Sequence, residues 1–250
     1  MPLSLQAGVW GLLGGSALLI GAVVGWFAAI PARLVAAVMA FGSGVLISAL
    51  SFELMDEAYR QGGFDSTAAG FLAGALVYTM ANIAITHRGG AHRKRSGHQQ
   101  QRAEEGAGLA IAVGALLDGI PESVVIGVSL LDPGSGVSLV AVAAVFLSNV
   151  PEGLSSAAGM RRAGRGRGYV FGVWGGIALA SGAAAMLGNI ALAGASPEWI
   201  AATNAVAAGA ILAMLADTMI PEAFEEARDY AGLITVGGFL AAFMLSRLGG

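Results

Sequence analysis

The chain has no cysteine and little charge. Of its 250 residues, 12% are charged, and the formal net charge is −3. The absence of cysteine excludes disulfides and thiolate metal ligands and leaves the redox compartment undetermined. A soluble domain usually carries about 25% charged residues. The shortage of charge therefore excludes an ordinary water-soluble fold, and no nucleic-acid partner is predicted.

Apolar and small residues dominate instead. The sequence is 56% hydrophobic, contains 39 glycines and has a mean hydropathy of +0.74. Apolar runs of roughly 20 residues can cross a bilayer as helices, and small residues let such helices pack closely. The sequence predicts one all-α polytopic membrane domain over residues 1–250. Its eight transmembrane helices are expected at about 5–30, 34–56, 67–86, 107–131, 137–159, 169–193, 199–222 and 231–248.

The basic residues predict the orientation. Eleven of the 13 lysines and arginines fall in loops on one side of the eight spans, and Arg60 and Arg247 fall on the other. By the positive-inside rule, the side with eleven is cytoplasmic. We therefore expect both termini to be extracytoplasmic, in a multi-pass protein of the cell (inner) membrane whose constant partner is the lipid bilayer.

The longest loop, at 87–105, lies on the predicted cytoplasmic side. It carries all three histidines of the chain, His87, His92 and His98. We interpret it as a flexible basic tether whose charges set the topology. A weak metal-collecting or regulatory role stays open as an alternative, since three scattered histidines do not define a strong site.

Two spans carry the same polar insertion in an apolar background. The fourth span reads Asp-Gly-Ile-Pro-Glu-Ser over 118–123, and the fifth reads Ser-Asn-Val-Pro-Glu-Gly over 148–153. On a helix, the first polar residue and the glutamate four residues later share a face. Each proline removes a backbone hydrogen bond and frees a carbonyl. A carboxylate beside a freed carbonyl in a kinked helix suits a cation.

Asp118, Glu122 and Glu152 fall near the centres of their spans, where an ionised side chain costs about 2.5–3.5 kcal/mol on insertion scales. Apart from Arg247 at the very end of the eighth span, no lysine or arginine falls inside any span. We therefore expect these carboxylates to be protonated, hydrated or bound to a cation. Ser148 and Asn149 add neutral oxygen donors, which serve either as ligands or as interhelical hydrogen-bond partners.

Other acidic residues lie closer to the ends of the spans. Glu53 in span two and Asp217 in span seven are candidate ligands during uptake or release, although polar ends of interfacial helices are an equal alternative. Five more carboxylates are expected to be solvated at the mouths of the pathway: Asp56, Glu57, Glu222, Glu225 and Glu226.

Short sequences on either side of the central helix pair resemble each other. The matching stretches are 44–50 with 209–215, and 70–73 with 238–241. Because spans two and seven run in opposite directions, we predict an inverted repeat around the pair at 107–159. Its units cover about 1–86 and 169–250. Inverted repeats of this kind are typical of secondary transporters.

Eight spans, a histidine-bearing loop after the third, and Pro-Glu motifs in the fourth and fifth resemble the ZIP (Zrt-, Irt-like) family of divalent metal transporters. The resemblance implies a metal between spans four and five, with Asp118 in the place of that family's first histidine. It also implies a homodimer, uptake into the cytoplasm, and movement of spans one, four, five and six against the others. The chain departs from the family in having no intramembrane histidine. Ala185 also stands where the family often has a glutamate, which argues against a second metal.

We therefore predict a transporter rather than an enzyme, with a divalent cation as cargo and no prosthetic group. The oxygen-only donor set favours manganese over zinc, with iron as a further candidate. Two alternatives stay open: an intramembrane hydrolase that uses Asp118 with a second acid, and a membrane binding or scaffold protein with a degenerate site. The predicted metal ligands are Asp118, Glu122, Ser148, Asn149 and Glu152, with Glu53 and Asp217 as additional candidates.

Overall fold

A computed structural model describes residues 1–96, 100, 108–131 and 136–249, apart from the side chain of Glu226. Every regular element in this part of the chain is helical, which confirms the all-α class. His98 and most of the second half of the predicted loop lie outside the described residues. The helices are α1 (Leu3–Phe27), α2 (Ala32–Ala49), α3 (Asp56–Ile85), α4 (Gly108–Ser129), α5 (Leu139–Arg162), α6 (Arg167–Leu192), α7 (Pro197–Met214), α8 (Ile220–Ala227) and α9 (Ala231–Gly249).

Two π-helical turns lie at comparable places in the chain. Leu50–Met55 follows α2, and Leu215–Met219 follows α7. In each, a hydroxyl donates to the carbonyl four residues earlier, from Ser51 to Ile47 and from Thr218 to Met214. Single π turns are frequent at functional sites, and these two carry Glu53 and Asp217. A third π turn, Thr86–Gly90, ends α3, and a 3-10 turn, Arg228–Tyr230, joins α8 to α9.

Seven helical segments among the described residues are long and apolar enough to cross a membrane. One of them, Ala32–Gly90, has 59 residues, about three times the roughly 20 that a crossing requires. This segment is interrupted at Gly63, whose φ of 69° and ψ of −178° are not helical. Only glycine adopts such a positive φ without strain, so the residue type permits the break.

The helices pack in two groups. In the first group, α1 lies against α5 and α6, and α4 lies against α6. In the second, α3 lies along α7, and α2 packs against α8 and α9. Each group has its own apolar core, one around Trp174 and Met160 and the other around Met39 and Met214. The carboxylates of α4 and α5 therefore belong to the first group.

Glycine allows the closest helix crossings. A Cβ atom on Gly153 of α5 would overlap the carbonyl oxygen of Leu18 on α1. In the second group, a Cβ on Gly44 would overlap the Thr235 carbonyl of α9, and a Cβ on Gly209 would overlap the Phe71 carbonyl of α3. These contacts place backbone against backbone, as expected for membrane helices rich in small residues.

Candidate cation site

Asp118 lies at the centre of a buried polar cluster on α4, which continues as a helix through Pro121. Arg93 donates to both carboxylate oxygens, from Nε to Oδ2 at 2.9 Å and from Nη2 to Oδ1 at 2.8 Å. The Tyr78 hydroxyl of α3 donates to Oδ1 at 2.6 Å. A two-pronged arginine–carboxylate pair of this kind is among the strongest side-chain contacts in proteins.

Lys94 links the two central helices. Its Nζ lies 3.4 Å from Oδ2 of Asp118 on α4 and 2.8 Å from Oε2 of Glu152 on α5. The lysine side chain is only 3% exposed. The contact with Glu152 is an ion pair without hydrogen-bond alignment. A single ammonium therefore occupies the space between two predicted metal ligands.

These contacts correct one expectation. Since no basic residue falls near the centre of any span, the sequence predicts that the carboxylates lack a lysine or arginine partner. The structure brings Arg93 and Lys94 in from outside the spans, on residues 91–96, which we call the docked loop. The predicted flexible tether is therefore wrong for this part of 87–105, because its charged side chains find buried carboxylates that the bilayer cannot solvate.

Burial and charge act in opposite directions on the two cations of the docked loop. Burial by itself lowers the pKa of the Lys94 ammonium, but the carboxylates of Asp118 and Glu152 outweigh it, so the pKa lies above its ordinary value. The pKa of Arg93 is likewise lowered by burial and raised, on balance, by Asp118. Both side chains therefore stay protonated while the loop is docked.

Glu122 is the carboxylate that the loop leaves without a hydrogen bond. It is buried, and no donor among the described residues reaches either of its oxygens. It lines a cavity of about 20 Å³ whose other walls are apolar. A cavity of this size holds about one water molecule. Glu122 is therefore the predicted ligand with free coordinating oxygens.

Ser148 and Asn149 are buried beside Glu152 on α5, as their spacing predicts. The Ser148 hydroxyl donates to the Val145 carbonyl of its own helix at 2.9 Å. The Asn149 amide donates from Nδ2 to the Gly14 carbonyl of α1 at 3.0 Å. Asn149 thus forms the interhelical hydrogen bond that was its alternative role.

Glu53 and Asp217 lie apart from the central cluster. Glu53 accepts from the Ser246 hydroxyl at 2.6 Å and from Ser138 at 3.4 Å. Asp217 is exposed and accepts from Asn82 Nδ2 at 3.2 Å. Asn82 in turn accepts from Arg93 at 2.9 Å, so Asp217 is connected to the cluster through two side chains.

The backbone of the docked loop is held by α5. The Ser156 hydroxyl donates to the Arg93 carbonyl at 2.6 Å, and the Ser155 hydroxyl lies 2.6 Å from the Lys94 carbonyl. Gln100 donates from Nε2 to the carbonyls of Arg93 and Ser156 at 3.0 and 3.1 Å. These bonds satisfy carbonyls that would otherwise be buried without partners, which costs roughly 1–3 kcal/mol for each group.

Glu222 of α8 holds the end of the loop. Its Oε1 accepts from the Ser96 amide at 2.8 Å and from the Ser96 hydroxyl at 2.6 Å, and it lies 3.0 Å from the Ser155 hydroxyl. Arg95 lies near its other oxygen, at 3.5 Å, and also pairs with Glu225. The prediction that Glu222 is solvated at a mouth is therefore wrong, because the loop covers it.

A cavity of about 760 Å³ lies beyond the C-terminal end of α2. Charged residues line it: Glu53, Asp56, Glu57, Arg60 and Arg247. Three apolar residues, Leu54, Val125 and Ala141, line both this cavity and the small one at Glu122. The apolar layer separates Glu122 from the larger cavity.

The carboxylates of the cluster can neutralise bound cations, and the cations that they neutralise here are Arg93 and Lys94 of the docked loop. Within the described residues, no three histidine, aspartate or glutamate side chains gather closely enough to hold a metal ion. Asp118 and Glu152 share Lys94 instead, and the metal-ligand assignment stays a prediction. Sequence reasoning missed the contribution of Tyr78, Arg93, Lys94 and Ser96 to the cluster and its loop. The one available signal was the excess of intramembrane carboxylate without an intramembrane cation.

Neither a family model nor a curated protein sequence matches this chain.

Proposed function

We propose that the chain is a transporter of divalent cations whose central site is closed on one side by the docked loop. One observation carries the proposal: buried carboxylates from two proline-containing helices, Asp118 and Glu152, contact the same ammonium group, that of Lys94. Glu122 lies buried on α4, one helical turn from Asp118, with free oxygens. If Lys94 leaves, Glu152 loses its ion pair and the space between Asp118 and Glu152 requires another cation.

The proposed topology has eight crossings, with the docked loop on the cytoplasmic side of the cell membrane. The 59-residue segment with its break at Gly63 supports two crossings in place of one. Arg60 and Arg247, the two basic residues assigned to the outside, line the same cavity. This agrees with a shared extracytoplasmic end, and both termini then face outward.

The inverted repeat is part of the proposal. Gly44 and Gly238 each approach a backbone carbonyl across the α2–α9 crossing, and Gly209 and Gly74 do the same across the α7–α3 crossing. The matching contacts use Gly74, one helical turn beyond the Gly70 that sequence similarity selects. The homodimer and the relationship to the ZIP family stay predictions that rest on the sequence motifs.

The proposed route begins in the large cavity. Acidic side chains there attract cations, and the apolar layer of Leu54, Val125 and Ala141 stands between that cavity and Glu122. Movement of the first helix group against the second would open this layer. Oxygen ligands favour hard ions such as Mn²⁺, while zinc also accepts carboxylates.

The proposal is tested by Mn²⁺ uptake into proteoliposomes. Glu122→Gln and Glu152→Gln should each remove most of the uptake, because each deletes a carboxylate where a divalent ion needs it. Glu198→Gln is the matched control, since Glu198 is an exposed carboxylate in the first turn of α7. Uptake that persists in both site variants, at the level of the control, would contradict the assignment.

A second candidate is a membrane binding or scaffold protein that moves no ion. The observation that favours it is the complete pairing of Asp118 with Arg93, Lys94 and Tyr78. Under this function the buried cations are permanent structural partners. The same uptake assay separates the two candidates, because a scaffold protein carries no zinc, manganese or iron into the proteoliposomes.

A further inference from the structure

Two features of the cluster go beyond what is needed to neutralise its buried carboxylates permanently. Lys94 reaches carboxylates on both central helices. Its backbone is fixed through hydroxyl groups and one distant carboxylate, Glu222, which does not touch the central cluster. Charge neutralisation and backbone attachment are thus performed by different residues.

We propose that the docked loop is a displaceable internal competitor, in which the Lys94 ammonium and a divalent cation exclude each other and Glu222 acts as the latch that retains the loop. This inference rests on the proposed function, since it needs a cation that binds at Asp118 and Glu152. It adds a regulatory element to that function.

Mutual exclusion follows from distance and charge. Nζ lies 2.8 Å from Glu152 and 3.4 Å from Asp118, so a metal ion that bridged these oxygens would overlap the ammonium. Two cations at that separation in a buried site also repel strongly. The carboxylates can therefore be shared in time but not at once.

The loop is attached by ion pairs and by hydrogen bonds, and a divalent cation acts on the ion pairs. A cation bound to Asp118 and Glu152 takes the place of Lys94 and competes with Arg93 for the Asp118 oxygens. The other attachments are hydrogen bonds to loop carbonyls from side chains of α5, and the contacts that two loop residues make with α8: Ser155, Ser156 and Arg162 on α5, and Arg95 and Ser96 in the loop. Once the cation has displaced the two buried ammonium and guanidinium groups, water can replace these hydrogen bonds.

The latch provides a test that is separate from the ligands. Glu222→Gln keeps the shape of the side chain but removes the charge that attracts Ser96 and Arg95. We expect it to raise the apparent affinity for Mn²⁺ roughly tenfold or more, since affinity rises with the fraction of molecules whose site is free. If Glu222 were itself a ligand, the same change would weaken binding.

The experiment combines calorimetric Mn²⁺ binding with hydrogen–deuterium exchange of residues 91–96 in purified protein. Glu222→Gln should speed exchange at the Ser96 amide without metal, and Mn²⁺ should do so in the native chain. Lys94→Met should bind Mn²⁺ more tightly than the native chain does. Glu198→Gln is the matched control, because this exposed carboxylate in the first turn of α7 belongs neither to the cluster nor to the lining of the large cavity.

The outcomes distinguish the inference from the function beneath it. If Mn²⁺ binds while loop exchange is unchanged, or if Glu222→Gln weakens binding, the competitor is refuted and the transporter stands. If neither the native chain nor Lys94→Met nor Glu222→Gln binds a divalent cation, the proposed function fails and the mutual exclusion fails with it. In Glu152→Gln, added Mn²⁺ should leave loop exchange unchanged.

Discussion

The π turn after α2 and the π turn after α7 are the same backbone feature in opposite surroundings. Gly44 precedes the first turn by six residues, and Gly209 precedes the second by six. Beyond the first turn, Glu57 faces the large cavity; beyond the second, Glu222 is covered by the docked loop. The comparison shows that the two helical segments place Glu57 and Glu222 at equivalent positions. The difference in their exposure comes from the docked loop, which covers Glu222 alone of the two.

The largest effect is expected where charge is buried. Asp118→Asn should lower the free energy of unfolding by about 3–5 kcal/mol, because it leaves Arg93 buried without its carboxylate. Asp56→Asn beside the large cavity should lower the free energy of unfolding by less than about 1 kcal/mol, since the ion pair of Asp56 with Arg60 is exposed. Denaturant titration in detergent measures both values. Equal losses of unfolding free energy would mean that the buried pair of Asp118 with Arg93 contributes no more than the exposed pair of Asp56 with Arg60.

A smaller loss of unfolding free energy is expected at the glycine crossings, and it should be equal at the α2–α9 and α7–α3 crossings. Gly44→Ala and Gly209→Ala each force a Cβ onto a backbone carbonyl, and overpacking of this kind costs typically about 1–3 kcal/mol. Gly172→Ala on the exposed face of α6 is the control, because a Cβ there meets no atom within 4 Å. Unfolding free energies that differ strongly between the first two variants would break the similarity of the crossings.

The smallest effect concerns single hydroxyls. Ser156→Ala should cost about 0.5–1.5 kcal/mol, because it removes a donor from the Arg93 carbonyl while Gln100 remains. Ser51→Ala in the π turn beside the large cavity should cost less, since the bond from that hydroxyl to the Ile47 carbonyl lies within one continuous helical segment. The same titration provides the comparison. A larger loss for Ser51→Ala would mean that the hydroxyl in the π turn contributes more to stability than the hydroxyl that holds the docked loop.

Hydropathy predicted the helices well because crossing length and apolar composition are local properties. The helix α4 (Gly108–Ser129) falls within the span predicted at 107–131, and α6 (Arg167–Leu192) closely matches 169–193. The burial of Asp118, Glu122 and Glu152 was also predictable, since a carboxylate in an apolar run has no local route to water.

The docked loop was not predictable by the same reasoning. Arg93 and Lys94 lie in a polar stretch and are typical of a solvated loop until carboxylates on α4 and α5 are brought beside them. Glu57 and Glu222 each precede a buried alanine, but Glu57 is partly exposed and Glu222 is buried. The difference arises because Ser96, which is far away in sequence, covers Glu222. Burial of a charge thus depended on long-range partners, which hydropathy and spacing do not specify.

The connections between the two helix groups limit how far the groups can travel. Among the described helices, the chain passes between the groups at residues 28–31, between α3 and α4, and at residues 193–196. The first and last connections have four residues each, and four fully extended residues span at most about 14 Å. Only the α3–α4 connection, which contains the docked loop, has length to spare. The spare length is therefore concentrated in the segment that also fills the site, and the two short connections become taut first when one helix group slides along the other.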